Sequence, residues 1–222
     1  MNWVVFIFSA CVEQQNPELK LYVDWKRGNI ETTPNGWAVL TDRDTEVQVT
    51  DGTLINHTVQ LLPCQAKSDF GIVRSAFAGH GFPVKSTDSS AVVYSIQESL
   101  LELKHTEIHK QNFKKSAYCS AHNLVAKYRS VPKTRMEGLS LWLEGRWRKN
   151  SEKWVEFSLK TGLSNGKSLS IQVDDSQSAD IVFVRDPSTL FDGIDFVDAK
   201  KKQIERKVLS NLMQDLTVEV RK

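Results

Sequence analysis

Residues 139–162 read LSLWLEGRWRKNSEKWVEFSLKTG. Two runs of alternating apolar and polar residues, 139–147 and 153–162, flank the polar RKNSE, which is the pattern of two half-buried strands folded back on one another. Downstream, SLSIQVDD at 168–175 and ADIVFVRD at 179–186 read as two further strands. The period then changes. Ile204, Val208, Leu212 and Leu216 recur at four-residue spacing across AKKKQIERKVLSNLMQDL, so this stretch reads as an amphipathic helix with its basic residues on the far side.

Upstream the period of two continues. LKLYVDW at 19–25 puts Leu19, Leu21, Val23 and Trp25 on one side, and GWAVL at 36–40 and EVQVT at 46–50 are short strands. Asp51 and Gly52 predict a tight turn into a second strand, TLINHTVQLLPC at 53–64. SAYCSAHNLVAKYR at 116–129 alternates, with Tyr118, Ser120, His122 and Leu124 on one face and Cys119, Ala121 and Val125 on the other. AVVYSI at 91–96 is a strand, and QESLLELKH at 97–105 suits one or two helical turns. The long QAKSDFGIVRSAFAGHGFPVKSTDSS, 65–90, has little periodicity, as functional or mobile loops do. About nine strands closed by one helix predict an all-β antiparallel β-sandwich, of the transthyretin or immunoglobulin kind, with a C-terminal amphipathic helix. Residues 19–222 form its single domain.

The 29 Lys and Arg nearly balance 27 Asp and Glu for a net charge of +2, which argues against a nucleic-acid partner, since such domains concentrate basic charge. Within the N-terminal WVVFIFSACVE, 3–13, residues 3–10 have the length of a signal-peptide apolar region and are too few to span a bilayer. Its FSAC resembles the lipobox of bacterial lipoproteins, in which the cysteine is lipidated and becomes the mature N-terminus. Phe8 stands where that family usually has Leu, and no Lys or Arg precedes the run; a start codon assigned too late would account for the missing basic residues. This resemblance implies a signal-peptide remnant at 1–10, lipidation of Cys11 and a polar tether at 11–18. A buried strand ending in a core cysteine is the competing reading.

Cys64 and Cys119 remain. In an exported protein two leftover cysteines most often pair; in the cytoplasm both suit inert core positions. A thiolate metal site has no CxxC or CxH cluster to build on. A Cys64–Cys119 disulfide would set the strand ending at Cys64 beside the strand through Cys119, because bridged Cα atoms lie within about 7 Å.

The segments VQLLPC, AGHGFPV, YCSAHNLVAKY, LWLEGRW and LFDGIDF, in that order over roughly residues 50–215, resemble in layout a group of uncharacterised proteobacterial lipoproteins. These are similar to the periplasmic protein of methanobactin operons and to transthyretin-like β-sandwich lipoproteins. The resemblance implies a β-sandwich in the envelope. The copper-handling relatives hold copper through histidines and a modified tryptophan, and no Trp-x-His arrangement occurs here.

Five histidines are candidate ligands for copper or zinc: His57, His80, His105, His109 and His122. His105 and His109 share a face only if their segment is helical; on a strand they stand about 13 Å apart. His80 lies between two glycines of the 65–90 loop, and a site joining His80 with His122 is the metal site this sequence favours. His57 and His122 are offset from Cys64 and Cys119 by odd numbers of residues, which on regular strands turns each away from its cysteine. No nucleophile elbow, Walker loop, HExxH or dinucleotide fingerprint occurs. Asp174 with Asp175, or Asp192 with Asp195, are carboxylates of the kind turns use. Trp142 and Trp147 fall on opposite faces of one strand, with Trp154 free to join either. The expectation is a non-enzymatic, lipid-anchored envelope protein, facing the periplasm or the surface, that binds a ligand, a metal or an envelope partner. A structural or adhesive lipoprotein without metal is the alternative.

Overall fold

The structure is a computed structural model describing residues 18–64, 91–111, 116–127, 134–175 and 178–222. The expected signal remnant, Cys11, the tether up to residue 17 and the 65–90 loop with His80 lie outside the described residues. Twelve strands and one α-helix are found among them: β1 (Leu19–Trp25), β2 (Glu31–Thr33), β3 (Gly36–Leu40), β4 (Thr45–Pro63), β5 (Ala91–Ser99), β6 (Thr106–Gln111), β7 (Tyr118–Val125), β8 (Leu141–Lys149), β9 (Val155–Thr161), β10 (Asn165–Val173), β11 (Ala179–Arg185), α1 (Lys201–Gln214) and β12 (Thr217–Arg221).

They form two sheets, one of four strands ordered β12-β11-β1-β6 and one of eight built around β4. The hairpin expected at 139–162 is β8 and β9, paired antiparallel from Leu141↔Thr161 to Trp147↔Val155. Its connection is turned by Asn150 and Ser151, both in the left-handed region at φ 50° and 62°. β1 buries Leu19, Leu21, Val23 and Trp25 as its alternation demands. The small sheet is mixed, because β1 runs parallel to β11 from Leu19↔Ala179 to Trp25↔Arg185, whereas the pairings of the large sheet are antiparallel. β12 then follows the helix and extends the small sheet along β11, so the helix is not the last element.

β4 is the largest departure from the expected pattern. Residues 45–63 make one strand of 19 residues instead of two strands joined at Asp51 and Gly52. Its first half pairs with β3 and β8 and its second half with β5 and β7. A register shift between Val49 and Asp51 bulges the strand there, and bulges bend a strand without ending it. Gly52 serves close packing rather than a turn: a Cβ on it would lie 2.7 Å from Leu143 Cδ1 and 3.1 Å from Leu100 Cβ. Opposite the bulge, a Cβ on Gly145 would meet the Gln48 carbonyl oxygen at 2.1 Å. The helical turns expected at 97–105 are likewise absent, since β5 runs to Ser99 and a short turn follows.

Two further bulges change which residues face inward. Asn56↔Val125 is followed by Thr58↔Leu124, and Leu62↔Ser120 by Pro63↔Tyr118, so His57 and Cys119 are the extra residues. Tyr118 therefore shares the buried side with Ala121, Asn123 and Val125, against the unbroken alternation that placed it with Ser120 and His122. α1 packs on β9 and β10, burying Ile204, Val208 and Leu212, with Leu216 buried just beyond. Glu205 turns inward to accept the Lys160 backbone N–H at 3.2 Å, on the edge strand β9. Lys167 caps the helix C-terminus by donating to the Gln214 carbonyl and, at 2.9 Å, to that of Leu216, which suits the negative end of the helix dipole.

Between the sheets lies a polar cluster. Arg185 of β11, 0% exposed, donates from Nε and Nη2 to the two Glu98 carboxylate oxygens of β5, each at 3.2 Å. It also donates to Asn123 Oδ1 at 3.2 Å, and Asn123 donates in turn to Asn56 Oδ1 at 3.0 Å. Trp25 and Met213 flank the guanidinium. The cluster ties the small sheet to three strands of the large one.

Candidate binding surface

Cys64 and Cys119 form a disulfide with Cα atoms 4.7 Å apart. It joins the end of β4 to the start of β7, where the Cys64 N–H donates to the Ala117 carbonyl at 2.9 Å, so the two strands are adjacent as the pairing required. His57 and His122 are not turned away from Cys64 and Cys119 by sequence parity, because the bulges at His57 and at Cys119 break the alternation between them.

His122 stands half-buried opposite Gln60 of β4 and Ser168 of β10, with Nδ1 3.0 Å from Ser168 Oγ. Burial lowers its pKa from the ordinary histidine value. His57 contacts Thr58 Oγ1 at 2.7 Å. His105 precedes β6, stacks on Tyr22 at 4.8 Å and lies 3.4 Å from an Asp24 oxygen. His109 is within β6, so this pair is not helical. Among the described residues no group of three or more His, Cys, Asp or Glu side chains is placed to hold a metal ion.

The tryptophans of the hairpin divide between its faces. Trp147 points inward and stacks on Phe196 at 5.5 Å. Trp142 belongs to a separate buried cluster with Ile55 and Met136. Its indole N–H donates to Glu144 Oε1 at 3.1 Å, and the Arg135 guanidinium covers its ring at 4.1 Å. Trp154 joins this outer side, its ring faced by Arg146 at 4.6 Å and Arg148 at 4.4 Å. Neither arginine is free to swing: Arg146 Nε donates to Gln48 Oε1 and Arg148 Nε to Glu46 Oε2, both at 2.7 Å. These pairings follow from position, because residues two apart on β8 share a face and the hairpin lays Trp154 beside them. The Arg-x-Arg at 146–148 opposite a tryptophan is the signal by which sequence reasoning could have found the stack.

A shallow cleft of about 190 Å³ opens at this end of the sheet, lined by Leu40, Asp44, Glu46, Arg148, Asn150 and Ser151. It is smaller than the roughly 300–1,000 Å³ of a small-molecule site. Asp192 and Asp195 are engaged by backbone donors. Asp192 Oδ1 accepts the Asp42 N–H at 3.2 Å, while Asp42 accepts that of Gly193 at 2.8 Å. Asp195 Oδ1 accepts from Val197 at 3.0 Å and Asp198 at 3.3 Å. Burial, with the Asp42 and Asp215 charges, raises the Asp192 pKa, and the two backbone donors lower that of Asp195. Both carboxylates tie loops together.

No protein-family model matches the sequence, and no curated protein or solved structure is significantly similar to it.

Proposed function

We propose that this chain is a non-enzymatic, lipid-anchored protein of the bacterial cell envelope that works by binding a partner, with the outer face of β8 and β9 as its contact surface. The observation that carries the reading is the Cys64–Cys119 disulfide, since such bonds persist in oxidising compartments and are rare in the cytosol. The lipobox resemblance at FSAC supplies the anchor. Trp154, half-buried and held between Arg146 and Arg148, supplies aromatic surface with adjacent guanidinium groups, a composition enriched where proteins meet partners.

Fractionation tests the anchor. Wild type expressed with its native upstream codons should resist a high-salt wash and require detergent, whereas Cys11→Ser should leave the membrane in salt; wild type that keeps residues 1–10 and washes off would end the reading. Amine labelling tests the face: Lys153 and Lys160, both exposed, should be protected in intact envelopes relative to purified protein, and equal rates would exclude this surface.

A copper or zinc site at His80 and His122 is the second reading. Its support is the burial-lowered pKa of His122, which favours the neutral imidazole that metals bind. Stoichiometric metal lost in His122→Ala would support it, and metal-free protein insensitive to chelators would favour the structural or adhesive alternative.

A further inference from the structure

We propose that the exposed basic cluster from Lys200 to Lys207 on α1 is a docking surface for anionic lipid headgroups. Lys200, Lys201, Lys202, Arg206 and Lys207 are all exposed, and none forms an ion pair with a described residue. Residues 200–214 hold these five cations against one acid, Glu205, so this segment alone carries a net +4 in a chain whose total is +2. Glu205, the acid within the run, is turned inward onto the Lys160 N–H. Half-buried Asp192 feels the Lys207 charge while accepting the Asp42 N–H, and exposed Asp198 precedes the lysines. Neither removes the excess.

The cations also stand where they weaken the helix. Three lysines occupy the N-cap and first turn, with no acid there, although the positive end of the helix dipole favours acidic residues at that position. A sequence shaped only for stability would place Asp or Glu there, and departures of this kind mark function. The occupant follows from the chemistry of the face. Four of its five cations are lysines, compact point charges on flexible stems, which suit a diffuse layer of phosphates better than the fixed fork of arginine suits it. Val197, 65% exposed just before them, adds a single apolar contact, too little for the buried anchor of a protein interface. A bilayer surface asks for no more than scattered cations and a shallow apolar contact.

The proposal stands apart from the anchor, because it invokes neither Cys11 nor an acyl chain. Full-length Cys11→Ser protein is mixed with vesicles of phosphatidylcholine alone or with 30% phosphatidylglycerol, and the bound fraction is measured by sedimentation. Binding to the anionic vesicles should be at least tenfold tighter and should vanish in 1 M salt, where the screening length falls to about 3 Å. Combined Lys201→Glu, Lys202→Glu, Arg206→Glu and Lys207→Glu should abolish it, and Lys201→Glu with Lys202→Glu alone should weaken it without lowering Tm, since acids in the first turn agree with the dipole. Equal binding to both vesicles, or undiminished binding by the fourfold variant, would overturn the proposal. Binding to soluble poly-glutamate more tightly than to the vesicles would assign the face to an acidic protein and equally overturn it.

Discussion

Arg185 and Arg148 are each paired with a carboxylate on another strand, across the sheets for Arg185 and on the adjacent strand for Arg148, yet they do opposite things for the protein. Arg185 is sealed between the sheets with both Glu98 oxygens, Asn123 and Met213 around it. Arg148 lies on the outer face with its side chain 33% exposed, between Glu46 and Trp154. Burying charge is costly, so the interior pair adds little net stability but commits the two sheets to one arrangement, because separating either partner strands the other. The outer pair is solvated and dispensable to folding, and that freedom is what a contact surface requires.

The sharpest way to break the contrast is Glu98→Ala, which leaves Arg185 buried without a counter-charge and should cost about 3–5 kcal/mol in denaturant unfolding. Arg148→Ala should cost under about 1 kcal/mol. The double variant Glu98→Leu with Arg185→Met should fall within about 1 kcal/mol of wild type; if it is as unstable as Glu98→Ala, the cluster is a stabilising network and the contrast is wrong.

Next in size is the disulfide, which links β4 to β7, strands that also carry Asn56 and Asn123 of the interior cluster. Cys64→Ser with Cys119→Ser opens a link across 55 residues and should lower stability by about 2–4 kcal/mol. An unchanged denaturation midpoint would show that the paired strands hold their register unaided. On the outer face, Trp154→Ala removes two guanidinium contacts and should cost about 1 kcal/mol, with the core signal of Trp147 unaltered in near-UV circular dichroism.

The smallest effect is the pH response of His122. Its folded pKa is lowered by burial, so the folded state binds fewer protons than the unfolded chain. The stability this contributes is present above the unfolded value of about 6.5 and is lost as pH falls through the folded pKa. His122→Gln should therefore flatten the decline of Tm between pH 7 and pH 5, and an identical decline in both proteins would place the titration elsewhere.

Position along the sequence explains which of these features could be read in advance. The β8–β9 hairpin, the alternation of Leu19 to Trp25 and the stripe of Ile204, Val208 and Leu212 depend on contacts a few residues apart or on one buried face, and such periodicity is written directly in the side chains. The adjacency of Cys64 and Cys119 was legible because covalent geometry forces it once the pair is assumed. Asp51 and Gly52 misled because glycine serves a turn and a close backbone approach equally well, and only the Leu143 and Leu100 side chains against Gly52 decide between them.

By itself, then, the sequence determined the all-β class, the amphipathic helix, the hairpin and the opposite facing of Trp142 and Trp147. Tertiary structure alone decided that β4 is continuous, that β1 and β11 run parallel, and that Arg185 is an interior residue. It also decided that the bulges at His57 and Cys119 reset which side chains look inward. The reason is physical: an extra residue in a strand has no side-chain signature of its own, since it is defined by the register of the neighbouring strand. A buried arginine likewise depends on a carboxylate 87 residues away in the chain, a distance over which no local pattern carries information.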